Sequence, residues 1–359
     1  MLFLAFPALI LAVSGESFRS LDRLAREGDN DLIGYDIDED NLLALKQHSL
    51  EIRKVHTVVA LGSSRVLQFR KEMFNSRFYN AGYTVSDFQD YEAFLRTLPK
   101  DKLPSTLLIS LDQWTFNASK TFARTPPPES RWENFDYFPS DEKLLQVTNY
   151  LIDGRYTLER INKYRFSDSI IGLQAINYGM GLRDDGSMDY GAHTKALIAD
   201  DTTLSDYGFR DTFKRITAGT SNFEPGAQVR QESLLQLKGL LAFCKQRDIH
   251  VVAFIPPFAN KVQAKLKQIG RHTYMDKIFG YCKPLFSRYN FECYDLSRLS
   301  TFKSEDSEML DGFHGSEVAY GRMLLHLSQS SKILRATVNV KSLREKISAR
   351  KNGYQLYAE

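Results

Sequence analysis

Thr57-Val58-Val59-Ala60-Leu61-Gly62-Ser63-Ser64 is a short run of strand-forming residues closed by a glycine and two serines. A run of this length, rich in Val and ended by a turn residue, reads as a β-strand buried on both faces. Arg65 to Phe74 fits a helix, so the unit reads as strand, turn, helix, with a serine at the turn. Phe78 to Ala81 is a second short strand closed by Gly82, and Thr84 to Leu98 carries Val85, Phe88, Tyr91 and Leu95 at helical spacing. Thr106 to Leu111 is a third buried strand and runs into Asp112-Gln113-Trp114. The same rhythm returns late in the chain. Gln231 to Arg247 is an amphipathic helix, His250 to Ile255 a strand stopped by Pro256-Pro257, and Lys261 to Phe279 helical. Phe291 to Asp295 is a last strand, and a helix starts near Gly315. Strands alternating with helices predict an α/β fold on a parallel central sheet with right-handed crossovers.

Between about Asn117 and Glu224 the rhythm breaks. Arg124-Thr-Pro-Pro-Pro-Glu129 is a loop, aromatics are scattered through Trp132, Phe135, Tyr137 and Phe138, and Gly179 to Tyr190 carries glycines and aspartates. This region, about 117–225, is expected to be a partly helical insertion over one end of the sheet. Before the first strand, Glu16 to Arg53 is charged and helical in pattern, with a loop at Gly28-Asp29-Asn30-Asp31. Leu2 to Val13 is almost wholly apolar. It is shorter than the roughly 20 residues of a full membrane span and lacks the basic residues that precede a signal peptide. An anchor, an export segment and a buried element all fit it. The abrupt change to Glu16, Arg19, Asp22 and Arg23 favours a membrane anchor or signal segment over 1–15, followed by one α/β domain over 16–336 and a basic tail over 337–359.

The 47 basic and 44 acidic residues leave a net charge of +3, too balanced for a nucleic-acid surface. The basic stretch from Lys341 to Lys351 reads as a solvated helix face, with contact to an anionic membrane as the sharper alternative. Cys244, Cys282 and Cys293 match no zinc spacing; Cys282 and Cys293 could pair in an oxidising compartment, or all three thiols lie free in the core. No glycine-rich phosphate loop, metal cluster or dinucleotide fingerprint is present, so no cofactor is expected.

Two short motifs carry chemistry. A serine at the end of a strand, before a helix, can be exposed to a base and placed beside free amides, although serine there is more commonly an N-cap. Asp311-Gly312-Phe313-His314 puts a carboxylate three residues before an imidazole, across a glycine that permits a turn. Histidine is the usual general base near neutral pH, and a carboxylate on its second nitrogen fixes the tautomer. Ser64 is thus the candidate nucleophile, His314 the base and Asp311 its orienter. Arg65, beside the nucleophile, is a candidate substrate contact, as is Trp114; Trp114 and Trp132 could also form a sugar-stacking platform.

A Gly-x-Ser after the first strand and an Asp-x-x-His before the last helix resemble the SGNH (GDSL-type) hydrolase superfamily. Gly62-Ser63-Ser64 is similar to its first block, Tyr79-Asn80-Ala81-Gly82 to its second, Ser110-Leu111-Asp112 lies where its third would fall, and Asp311 to His314 to its fifth. The resemblance covers roughly 55–116 and 231–330. It implies a three-layer, flavodoxin-like SGNH fold with a large insertion. It implies an oxyanion hole from the amides of Ser64 and Gly82, with Asn80 and Asp112 beside the substrate. The family's third-block Asn donates a hydrogen bond that an Asp112 carboxylate cannot, so either Gln113 or Trp114 supplies an N–H donor instead or the hole has only the Ser64 and Gly82 amides.

The chain looks most like a membrane-anchored, extracytoplasmic subgroup. That subgroup includes the serine protein of teichoic-acid D-alanylation and the SGNH-like partners of membrane-bound O-acyltransferases in alginate acetylation. The resemblance implies transfer of an acyl group through Ser64 to a cell-surface glycan or teichoic-type polymer, beside a membrane-bound O-acyltransferase, on the outer face of a bacterial cell membrane. The alternatives are a periplasmic or secreted carbohydrate esterase and a non-catalytic SGNH-like scaffold.

Overall fold

The computed structural model describes residues 2–26, 32–37, 39, 41–122 and 138–357. The loops expected around Gly28 and Arg124, together with Trp132, Phe135 and Tyr137, lie outside the described residues. The chain divides into two compact units, one of residues 1–54 and 129–195, the other of 55–128 and 196–359.

The second unit is α/β and is built on five parallel strands: β1 (Val58–Gly62), β2 (Phe78–Gly82), β3 (Thr106–Ser110), β4 (His250–Ile255) and β5 (Glu292–Asp295). Their order across the sheet is β2-β1-β3-β4-β5, every pair parallel. This is the doubly wound order of flavodoxin-like sheets, in which the chain reverses its direction of travel between β1 and β3. Every residue of β1, β2 and β3 is buried, as helices on both faces require. The connecting and flanking helices include Phe88–Thr97, Gln231–Gln246, Asn260–Ile269, Ile278–Ser287 and Glu317–Ser330.

Three expectations about local structure are corrected. Residues 65–74 form no continuous helix but two single 3-10 turns, Ser64–Val66 and Lys71–Met73. The reason lies in the carbonyls. The Asn80 side-chain amide donates to the Val66 and Phe69 oxygens at 2.8 Å each, and the Tyr320 hydroxyl donates to the Arg65 oxygen. Side chains thus take acceptors that an α-helix would bond internally. The helix expected from Thr84 starts only at Phe88, behind a capping box made by Asp87 and Asp90. The helix expected over 261–279 stops at Gly270, whose φ of +68° makes the left-handed C-cap.

The division into units runs across the stretch read as an insertion: its described residues 138–195 group with those of 1–54, and 196–225 group with the parallel sheet. The first unit has its own small sheet, in the order Ile170–Ile171, Leu32–Ile33, Met180–Leu182, Met188–Tyr190. Within the basic C-terminal stretch the described residues 337–357 include a helix. Helix Val340–Ala349 buries Leu343 and Ile347, an i, i+4 pair, in the main core together with Leu356.

The apolar N-terminal stretch is helical over Leu2–Ser14. Its Ile10 and Leu11 are buried with Leu144, Val147, Tyr156 and Leu173 of the same unit, while Phe6 and Leu9 are exposed. Among the described residues no helix is long and apolar enough to cross a membrane. The three cysteines are free and buried.

Candidate active site

Parallel strands deliver their C-terminal ends, and hence their following loops, to one edge of the sheet, and the crevice between β1 and β3 is where ligands usually bind. The Ser64 turn leaves β1 and the Asp112–Phe116 turn leaves β3 at that edge. The register pairs Gly62 with Gly82, so these loops start level with the end of β2. Gly62 is closely packed here: a Cβ would lie 2.4 Å from Ser110 Oγ and 3.0 Å from Val66 Cγ1, so a larger residue would have to displace those side chains.

Ser64 opens its 3-10 turn, and the Ser63 side chain accepts the Arg65 N–H at 3.2 Å. The capping role that sequence alone would give Ser64 therefore falls to its neighbour, and the Ser64 hydroxyl is left for another partner. That partner is His314: Ser64 Oγ and His314 Nε2 are 2.8 Å apart across 250 residues of sequence. His314 Nδ1 lies 2.6 Å from Asp311 Oδ2. With a carboxylate at Nδ1, that nitrogen carries the proton and Nε2 is left to accept from the serine.

Asp311 does more than orient the ring. Its Oδ1 accepts the Phe313 N–H at 2.8 Å and the His314 N–H at 2.7 Å, an Asx-type turn that fixes the backbone carrying the imidazole. Burial alone would raise the Asp311 carboxyl, but His314 and the two amides outweigh it and hold it below the usual carboxylate range. Asp206, which the sequence reading missed, pins the loop from behind. It accepts the Gly312 N–H at 3.0 Å and the Thr212 N–H and hydroxyl at 2.8 Å each. Nothing in the local sequence marks Asp206, because it reaches Gly312 from 106 residues away.

The remaining candidates fall differently. The Gly82 N–H is not an open donor: it points to Asn80 Oδ1 at 2.9 Å. Asn80 is fully buried, and its three side-chain bonds all go to backbone, so it braces the Ser64 turn and presents no surface to a ligand. The Gln113 side chain is also committed, donating to Pro256 O at 2.7 Å and accepting from Arg65 Nη1 at 2.6 Å. Arg65 is wholly buried, and Asp112 (3% exposed) and Trp114 (5%) are close to it, so none of the three offers a surface to a polymer. What remains for an oxyanion is backbone. Ser64 and Gln113 each begin a 3-10 turn, and the first amides of such a turn have no acceptor within it.

A cavity of about 490 Å³ opens near the ends of β4 and β5, lined in part by Gln113, Ile255, Phe258 and His272. Ser64, His314 and Asp311 do not line it, so it is separate from the hydroxyl–imidazole–carboxylate relay. Among the described residues no group of three or more potential ligands could hold a metal ion. No protein-family model matches the chain, and no curated protein matches it significantly.

Proposed function

We propose that this chain is an SGNH-type, serine-dependent O-acyltransferase, or the acyl-accepting partner of a membrane-bound O-acyltransferase, that acylates a cell-surface polysaccharide or polyol polymer outside the cytoplasm. The observation that carries the reading is the continuous relay Ser64–His314–Asp311, with contacts of 2.8 Å and 2.6 Å. Both are within the reach that general-base activation of a hydroxyl requires.

The chemistry follows from the geometry. Ser64 Oγ attacks the carbonyl carbon of an acyl donor while its proton passes to His314 Nε2. Asp311 stabilises the imidazolium and keeps Nδ1–H in place. The tetrahedral oxyanion is received by the amides of Ser64 and of the turn that starts at Gln113. Collapse expels the donor's leaving group, which takes the proton from His314 and leaves an acyl ester on Ser64. An acceptor hydroxyl then attacks that ester, gives its proton to His314, and departs as the new ester while Ser64 recovers its hydroxyl. Water in the acceptor's place gives hydrolysis by the same steps. The +3 balance of charge suits a neutral or weakly anionic polymer better than a nucleic acid.

The deciding experiment is the mass of the intact protein after exposure to a fluorophosphonate and to an activated acyl donor. An adduct that maps to Ser64 and vanishes in Ser64→Ala is expected. A wild-type chain that takes up neither reagent while folded removes the serine mechanism.

A further inference from the structure

Arg65 follows the nucleophile in sequence, takes no part in the relay, and is among the largest wholly buried side chains in the molecule. Its Nη1 donates to Gln113 Oε1 at 2.6 Å and its Nη2 donates to the Pro257 carbonyl. Both acceptors are neutral. The rings of Trp114 and Phe258 lie 5.2 Å and 4.8 Å from the guanidinium carbon, close enough to stabilise a cation by their faces. Asp112, buried beside it, is the obvious counter-charge, yet its Oδ1 stays 3.9 Å from Nη1. Neither that oxygen nor Arg65 Nε has a hydrogen-bond partner among the described residues.

An ionised carboxylate buried next to a guanidinium takes a direct, usually two-pronged bond. Here the fork is spent on an amide and a carbonyl instead. The guanidinium thus stands beside Asp112 without a direct hydrogen bond to it, at a place from which water is excluded.

We propose that Arg65 is a positioning residue whose buried positive charge stabilises the oxyanion formed at Ser64, in place of the side-chain amide donor that Asp112 does not provide. The inference rests on the serine reading of the site. A fixed charge in a low-dielectric interior acts over several ångströms without contact and needs no reorganisation as the oxyanion forms. The groups facing Arg65 are Asp112, Tyr320 and Asp311; those facing Asp112 are Arg65, Ser63, Ser110 and His314, with Tyr91 and Lys120 also within electrostatic reach. Burial pushes the Asp112 carboxyl above its ordinary range, against the opposing pull of Arg65, Ser63 and His314. As pH rises, ionisation of Asp112 neutralises Arg65 and weakens the site.

The test is the rate of fluorophosphonate capture by Ser64 in the full chain, followed across about pH 5 to 9. Arg65→Met is expected to react roughly 10- to 100-fold more slowly, with the loss in the bond-forming step and not in reagent affinity. Arg65→Lys keeps the charge but not the fork, and is expected to recover much of that loss; a purely structural role for the fork leaves Lys and Met equally impaired. Asp112→Asn is expected to abolish the fall of the rate on the alkaline side. Folded Arg65→Met that reacts at the wild-type rate overturns the inference, as does an alkaline fall that survives in Asp112→Asn. The second measurement decides the matter if Arg65→Met does not fold. Failure of wild type itself to react overturns the serine reading, a result distinct from either of these.

Discussion

Asn80 Oδ1 accepts the Gly82 N–H at 2.9 Å while the amide nitrogen of the same side chain donates to the Val66 and Phe69 carbonyls, so one buried residue ties β2 to the turn that carries Ser64. Asn80→Ala strips the Phe69 carbonyl of its donor and the Gly82 N–H of its Asn80 acceptor in the core, while the Val66 carbonyl keeps the Phe69 N–H at 3.1 Å. Each buried group left without a partner costs about 1–3 kcal/mol, so a loss on the order of 3 kcal/mol or more is expected by denaturant unfolding. Because the loss falls on the Ser64 turn, fluorophosphonate capture should slow even where the variant is folded. Wild-type stability in Asn80→Ala would contradict the bracing role.

The Asp311 carboxyl carries three hydrogen bonds and is held below the ordinary carboxylate range. A group whose folded pKa is depressed stabilises the fold above its unfolded value, and that contribution is lost as pH falls through the folded value. Asp311→Asn should therefore lower stability at neutral pH, and the difference from wild type should shrink as the solution becomes strongly acidic. Activity should fall by roughly three to four orders of magnitude, because the amide no longer secures the tautomer that leaves Nε2 free. Thermal unfolding against pH and capture kinetics check the two halves separately.

In the other unit, Lys46 is buried, and burial lowers its pKa to about 7 although Asp185 pulls it upward. The unfolded chain binds this proton more tightly than the folded one, so stability should rise with pH from about 7 towards the ordinary lysine value near 10.4. Lys46→Met should flatten that rise and raise the melting temperature at neutral pH, by an amount on the order of several degrees. Calorimetry of both proteins at neutral and alkaline pH measures it.

Burial also pushes the Cys244 and Cys293 thiols up to about 12, and Cys282 well above its usual value. The thiolate is the reactive form, so the native protein should resist alkylation at all three positions and take up three equivalents only when unfolded. Rapid modification of the folded chain would show that one of these sites opens.

The parallel sheet was legible because four of its five strands are runs of five or six almost wholly buried residues bounded by a turn signal, while β5 buries only Cys293 and was marked by its place after a helix. The Ser64–His314–Asp311 contacts could be anticipated because Asp311 and His314 are neighbours in sequence, and parallel strands bring the loops that follow them, Ser64 included, to one sheet edge. What sequence did not reveal depends on partners far along the chain. The 3-10 turns after Ser64 arise because Asn80 and Tyr320 capture carbonyls from afar. The burial of Arg65 depends on Gln113, Pro257 and two rings, and an arginine beside a serine gives no local sign of them. The packing of Leu343 and Ile347 was hidden by the basic residues around them, which cover the other faces of that helix.

Ser64 and His314 are 250 residues apart. During synthesis the ribosome releases the serine long before the imidazole exists, so a growing polypeptide carries a hydroxyl without its imidazole partner while those residues are translated. On the proposed mechanism, fragments that stop short of His314 would lack the base that activates Ser64, whatever else they fold into. The Ser64–His314 contact is thereby tied to synthesis through residue 314, a safeguard that comes from the order of the residues alone.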